Sequence, residues 1–173
     1  MMVVARRILL ALTVLLGTLA IVDSAFAQRP AYLFHIERNK NANIVVYEAN
    51  LTNDGLIDAK NPASAYWVMK AEDGRREGLT SLERSHAYGF STRVDSDRRA
   101  MWLWLVADRS HPIRVTVSER GTVRAEAPIN GRRAFLQKIY VKASSGLIPS
   151  VEYIEIFGTD VYTGAQLRER RRP

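Results

Sequence analysis

Along most of this chain apolar and polar residues alternate with a period of two, and that period predicts β-strands. In Tyr32-Leu33-Phe34-His35-Ile36-Glu37-Arg38, the side chains of Tyr32, Phe34 and Ile36 fall on one side and His35 and Glu37 on the other. Asn43 to Asn50 gives the next strand, with Ile44 and Val46 on one face and Val45 and Tyr47 on the other. The polar stretch Asn39-Lys40-Asn41-Ala42 between them predicts a hairpin turn. Asn53-Asp54-Gly55 and Asn61-Pro62 mark further turns, and Asp73-Gly74 ends a third strand, Ala65 to Ala71, that contains Tyr66, Trp67, Val68 and Met69. Ala100 to Ala107 is apolar on both faces and predicts a central strand, with Trp102 and Trp104 opposite Met101, Leu103 and Leu105. Ile113, Val115 and Val117 set the parity of a fifth strand, and Val123, Ala125 and Ala127 that of a sixth. Phe135, Ile139 and Val141, then Val151, Tyr153 and Phe157, complete a set of about eight strands.

Thr80 to Phe90 breaks the alternation and predicts the one helix. Thr80 and Glu83 are spaced as a capping box, in which each side chain satisfies a backbone N–H at the helix start. Gly89 suits the helix end. The expected fold is mainly β: a single antiparallel β-barrel or sandwich with one short covering α-helix. A strand that is apolar on both faces needs a cover for its second face, and the helix is the expected cover for Trp102 and Trp104.

The first residues read differently again. Arg6 and Arg7 precede a nearly unbroken apolar run from Ile8 to Val22, and Ala25-Phe26-Ala27 offers small residues at a cleavage site. This is the pattern of a secretory signal peptide. The expected organisation is a signal peptide helix over 1–27, a β-rich domain over 28–165 and an arginine-rich tail over 166–173. Cleavage after Ala27 would leave a periplasmic or secreted protein. The tail has one apolar residue, Leu167, and four arginines against Glu169, so it is expected to be disordered.

Composition narrows the function classes. The 173 residues contain no cysteine, which excludes a disulfide scaffold, a thiolate nucleophile and a thiolate zinc site. Of the formal charge of +7, Arg168, Arg170, Arg171 and Arg172 against Glu169 contribute +3. A basic end on a mildly basic body does not suit a nucleic-acid-binding face, so no nucleic acid is expected. The four arginines offer a weak contact with an anionic membrane.

Several stretches resemble one family. Phe34-His35-Ile36-Glu37-Arg38-Asn39-Lys40-Asn41-Ala42-Asn43 with Val45-Val46-Tyr47 resembles the opening of an uncharacterised exported bacterial family, domain of unknown function 4833. Tyr66-Trp67, then Leu79-Thr80-Ser81-Leu82-Glu83-Arg84 with Ala87-Tyr88-Gly89, and finally Tyr153-Ile154-Glu155-Ile156-Phe157-Gly158-Thr159-Asp160 with Thr163-Gly164, are similar to its later parts. The resemblance implies a single β-rich envelope domain and supplies no activity.

Three readings of function follow from the residues. The first is non-enzymatic binding of an apolar or amphipathic, lipid-like ligand, motivated by the two-sided apolar strand. The second is a scaffold module that meets another envelope protein through the hairpin and the arginine tail. The third is a hydrolase of envelope glycans, because His35 and Glu37 face the same way on a strand and such a pair suits proton transfer. The candidate ligand-binding residues are His35, Glu37, Arg38, Asn41, Asn43, Trp67, Tyr88, Trp102 and Trp104. No metal or cofactor is expected: Glu83 and His86 share a helical face, but His35, His86 and His111 match no local metal motif.

Overall fold

A computed structural model describes residues 29–145 and 150–172. The expected signal peptide over 1–27 lies outside the described residues. The elements in chain order are β1 (Arg29–Arg38), β2 (Ile44–Leu51), β3 (Ala63–Val68), β4 (Arg76–Gly78), α1 (Ser81–His86), β5 (Phe90–Val94), β6 (Ala100–Leu105), β7 (Asp108–Val117), β8 (Val123–Ile129), β9 (Arg132–Ala143), β10 (Val151–Asp160) and β11 (Gln166–Arg171).

The strands form one curled, open sheet that forks at β9. One arm is β4-β3-β2-β1 and the other is β5-β6-β7-β8. The two arms take turns along one edge of β9. β8 pairs antiparallel with its first residues, Arg132 to Phe135, and β1 pairs parallel with Lys138 to Val141. The opposite edge carries β10 and then β11, both antiparallel. A closed barrel is not formed: β4, β5 and β11 each have a single neighbour among the described strands.

The arms curl toward each other over one core. Phe34, Val45 and Tyr47 from the first arm join Met101, Leu103 and Val115 from the second, and Leu136, Ile139 and Ile156 from the spine. Phe34 and Tyr47 stack at 4.6 Å, and the Tyr47 hydroxyl donates to the Tyr88 carbonyl at 2.7 Å. Burial raises the Tyr47 phenol far above its ordinary range, so it remains a neutral donor there. β2 is buried along its whole length, as expected of a strand with neighbours on both edges and cover on both faces.

Three expectations change. The first is the parity of Tyr32. Tyr32 pairs with Glu48 and Phe34 with Tyr47, leaving Leu33 as an extra residue in a β-bulge. A bulge shifts the alternation by one, so Phe34 and Ile36 point inward while Tyr32 turns out beside His35.

The second is the covering helix. The capping box forms as expected, but α1 ends at His86 and buries none of its residues. The chain turns back so tightly that a Cβ on Gly89 would lie 1.7 Å from the Arg84 carbonyl oxygen. Phe90 then starts β5 against Leu105. Trp102 and Trp104 are covered instead by arginines of neighbouring strands. The Arg114 guanidinium lies 4.9 Å from the Trp102 ring and that of Arg93 lies 5.6 Å from Trp104. Arg114 is fixed in turn by Asp95 at 2.6 Å.

The third is the tail. Residues 166–171, expected to be disordered, are strand β11. Alternation divides their charge between two faces. Arg168 and Arg170 both bind Glu155, at 2.5 and 2.6 Å, while Leu167 packs against the core. Ion pairing within the fold removes the self-repulsion that motivated the expectation of disorder.

Candidate functional site

The sequence-selected residues fall into four separate places. His35 and Glu37 lie on the outer face of β1, where the bulge brings Tyr32 beside them. The Tyr32 hydroxyl is 2.6 Å from His35 Nδ1, and His35 Nε2 is 3.0 Å from Glu37 Oε1. Lys138 Nζ of β9 donates to the other Glu37 oxygen at 2.9 Å. Partial burial works to raise the Glu37 carboxyl, but the hydrogen bonds from His35 and Lys138 outweigh it and hold it below its ordinary value. Burial and the Glu37 charge raise the Tyr32 phenol. The chain Tyr32–His35–Glu37–Lys138 can move or store a proton. Its carboxylate is held ionised, which suits a base better than an acid.

Arg38, Trp67 and Tyr88 meet on the inner side, at the far end of the first arm. The Arg38 guanidinium lies 4.5 Å over the Trp67 ring, and Trp67 meets the Tyr88 ring edge-on at 5.1 Å. Trp67 Nε1 donates to Glu83 at 3.1 Å, which ties this group to the helix cap. Burial raises the Tyr88 phenol, against the pull of the Arg38 charge. Arg38 Nε is buried without a hydrogen-bond partner among the described residues.

Asn41 and Asn43 organise turns. The Asn41 side chain accepts from the Asn43 backbone N–H at 3.2 Å, and Asn43 Oδ1 accepts from the Ala71 N–H at 2.8 Å. Trp102 and Trp104 form the fourth place, on the outer face of the second arm under their arginines. These four groups do not converge on one site.

A different feature has the form of a binding site. Between the β9–β10–β11 spine and the tip of the β6–β7 hairpin lies a cleft of about 510 Å³. Its floor is apolar: Ile36, Leu105, Ile113, Leu136, Ile139 and Ile156 are buried or nearly so and line it. Its polar lining residues are those nearest solvent: His86, Ser110, His111 and Arg172 are exposed, with Asp108 and Arg171 partly so. Tyr88 and Ala87 close one side, and Tyr88 is the one sequence-selected ligand residue in the lining. A volume in the range of about 300–1,000 Å³, with an apolar interior and a few polar groups, is usual for small-molecule sites.

Strand parity did show which apolar residues face inward, but the cleft was not legible in it. The fork at β9 leaves the cleft open, and a long-range parallel pairing makes that fork. Arg171 reaches the rim only because residues 166–171 form a strand. Among the described residues no group of three His, Asp or Glu side chains is gathered to hold a metal.

The model of a family described as a domain of unknown function, DUF4833, matches residues 34–170. The match spans both arms, the fork and nearly all of β11. No curated protein matches the chain, and no solved structure does.

Proposed function

The chain belongs to the DUF4833 family, a domain of unknown function, and we propose that it is an exported, non-enzymatic protein that binds an amphipathic, lipid-like ligand. The observation that carries this reading is the cleft of about 510 Å³, apolar in its depth and polar at its rim. A single alkyl chain buried there gains about 0.8 kcal/mol per methylene. Binding takes back several kcal/mol of lost motion, so a ten-carbon chain keeps only part of that gain as net affinity.

Calorimetric titration of the purified protein with 1-decanol tests this. The expected result is saturable binding that weakens at least about tenfold in Ala127→Phe, since Ala127 lines the cleft and a ring there takes up the chain's space. No heat of binding with decanol, or equal affinity in the variant, contradicts the reading.

The His35–Glu37 pair motivates a second reading, a hydrolase of envelope glycans. If Glu37 is its base, Glu37→Gln abolishes any glycan cleavage while leaving decanol binding intact. Cleavage that survives Glu37→Gln removes that reading.

A further inference from the structure

We infer that the polar end of the ligand is uncharged, although the arginines of the last strand would suggest an anion. This inference rests on the cleft reading and concerns its rim. Arg171 does not offer an open cation there. Its Nε donates to Glu169 at 2.6 Å and Nη2 donates to the Pro128 carbonyl at 3.0 Å. Asp108 Oδ2 stands 3.8 Å from Nη1. The Arg171 side chain retains only 19% of its exposure. An incoming carboxylate would have to displace one of these partners rather than fill a vacant place.

Asp108 is the decisive group. It lines the cleft, and it already holds the donors a carboxylate head would use. His111 Nδ1 is 2.8 Å from Oδ1 and 3.0 Å from Oδ2, and the Ser110 hydroxyl donates to Oδ1 at 2.9 Å. A ligand carboxylate at the rim therefore meets a resident carboxylate with its counter-charges already engaged. Like charges at hydrogen-bond range in a partly dry site repel strongly. Arg172 is solvated, and its attraction is screened by salt. A hydroxyl, ester or amide head meets no such repulsion. A hydroxyl or amide N–H can donate to Asp108, and the exposed His86 ring stands at the same rim. The chemical class that fits is a neutral single-chain lipid, such as a long-chain alcohol or a monoacyl glycerol.

The test compares 1-decanol with decanoate at pH 8, above the ordinary titration range of imidazole. Both are titrated calorimetrically into the wild-type protein and into Asp108→Asn and Asp108→Ala. The expected result is that the wild type prefers decanol by at least about tenfold, and that each variant shifts the ratio of affinities toward decanoate by about tenfold. A wild type that binds decanoate as tightly as decanol, or a ratio unmoved in two variants with wild-type melting profiles, overturns the inference while leaving the cleft reading in place. Failure of both ligands to bind overturns the cleft reading, and this inference with it.

Discussion

Glu155 holds the last strand in place. Its carboxylate is held below its ordinary value by hydrogen bonds from Arg168 and Arg170, against the cost of desolvation. A depressed folded-state value means that the stabilisation is fully present above the unfolded value, near 4.5, and is lost as pH falls through the folded one. Hydrogen-exchange protection of the β11 amides is therefore expected to fall selectively below about pH 4.5. Glu155→Gln should lower that protection at neutral pH and reduce its acid dependence, leaving the part that comes from Glu169, which Arg171 and the Asn130 N–H hold below its ordinary value. Protection in β11 that is independent of both pH and Glu155 would show that the arginines are not what pins the strand. Tyr47 makes a different kind of contact, a neutral hydrogen bond from the core to the Tyr88 carbonyl. Tyr47→Phe keeps the stacked ring and leaves that carbonyl without its partner, at a cost of about 1–2 kcal/mol in urea unfolding.

At the scale of elements, the alternation identified eight strands, and the Thr80–Glu83 spacing identified the helix start. Thr80→Ala is expected to cost about 1 kcal/mol and to lower the melting temperature by a few degrees. That loss exceeds what an exposed threonine without a capping role would show. The elements that escaped the sequence did so for separate physical reasons. β4 is three residues long. The expected helix takes in Phe90, the first residue of β5, and leaves Ser91 to Val94 without an element, because nothing in Phe90-Ser91-Thr92 announces that the chain has already turned at Gly89. β11 looked like a repelling tail because Glu155, which neutralises it, lies on another strand. The Leu33 bulge inverted Tyr32 without a glycine or proline to mark it. Gly158 stands at another bulge, where a Cβ would lie 2.5 Å from the Phe135 carbonyl oxygen. Gly158→Ala is expected to destabilise the β9–β10 spine by about 1–3 kcal/mol, more than the same change at Gly78, where a Cβ would meet only the end of the Arg84 side chain at 3.8 Å, when the two are compared by urea unfolding.

The whole molecule is a fork whose two arms share one spine, and the cleft is a consequence of that shape. A closed barrel of these strands would leave the space either sealed or filled. An open fork leaves apolar floor residues beneath a rim assembled from the helix end, a hairpin tip and the final strand. The sequence supplied the inward parity of Ile36, Ile139 and Ile113. It could not supply their convergence, which depends on β1 pairing parallel with β9 across about a hundred residues of chain. The most direct measurement is methyl NMR of the isoleucines during titration with 1-decanol. Saturable shifts are expected at Ile36, Ile113, Ile139, Ile154 and Ile156, which line the cleft, and none at Ile44 or Ile57. Unmoved isoleucines, or shifts centred on Ile44 and Ile57, would contradict binding there.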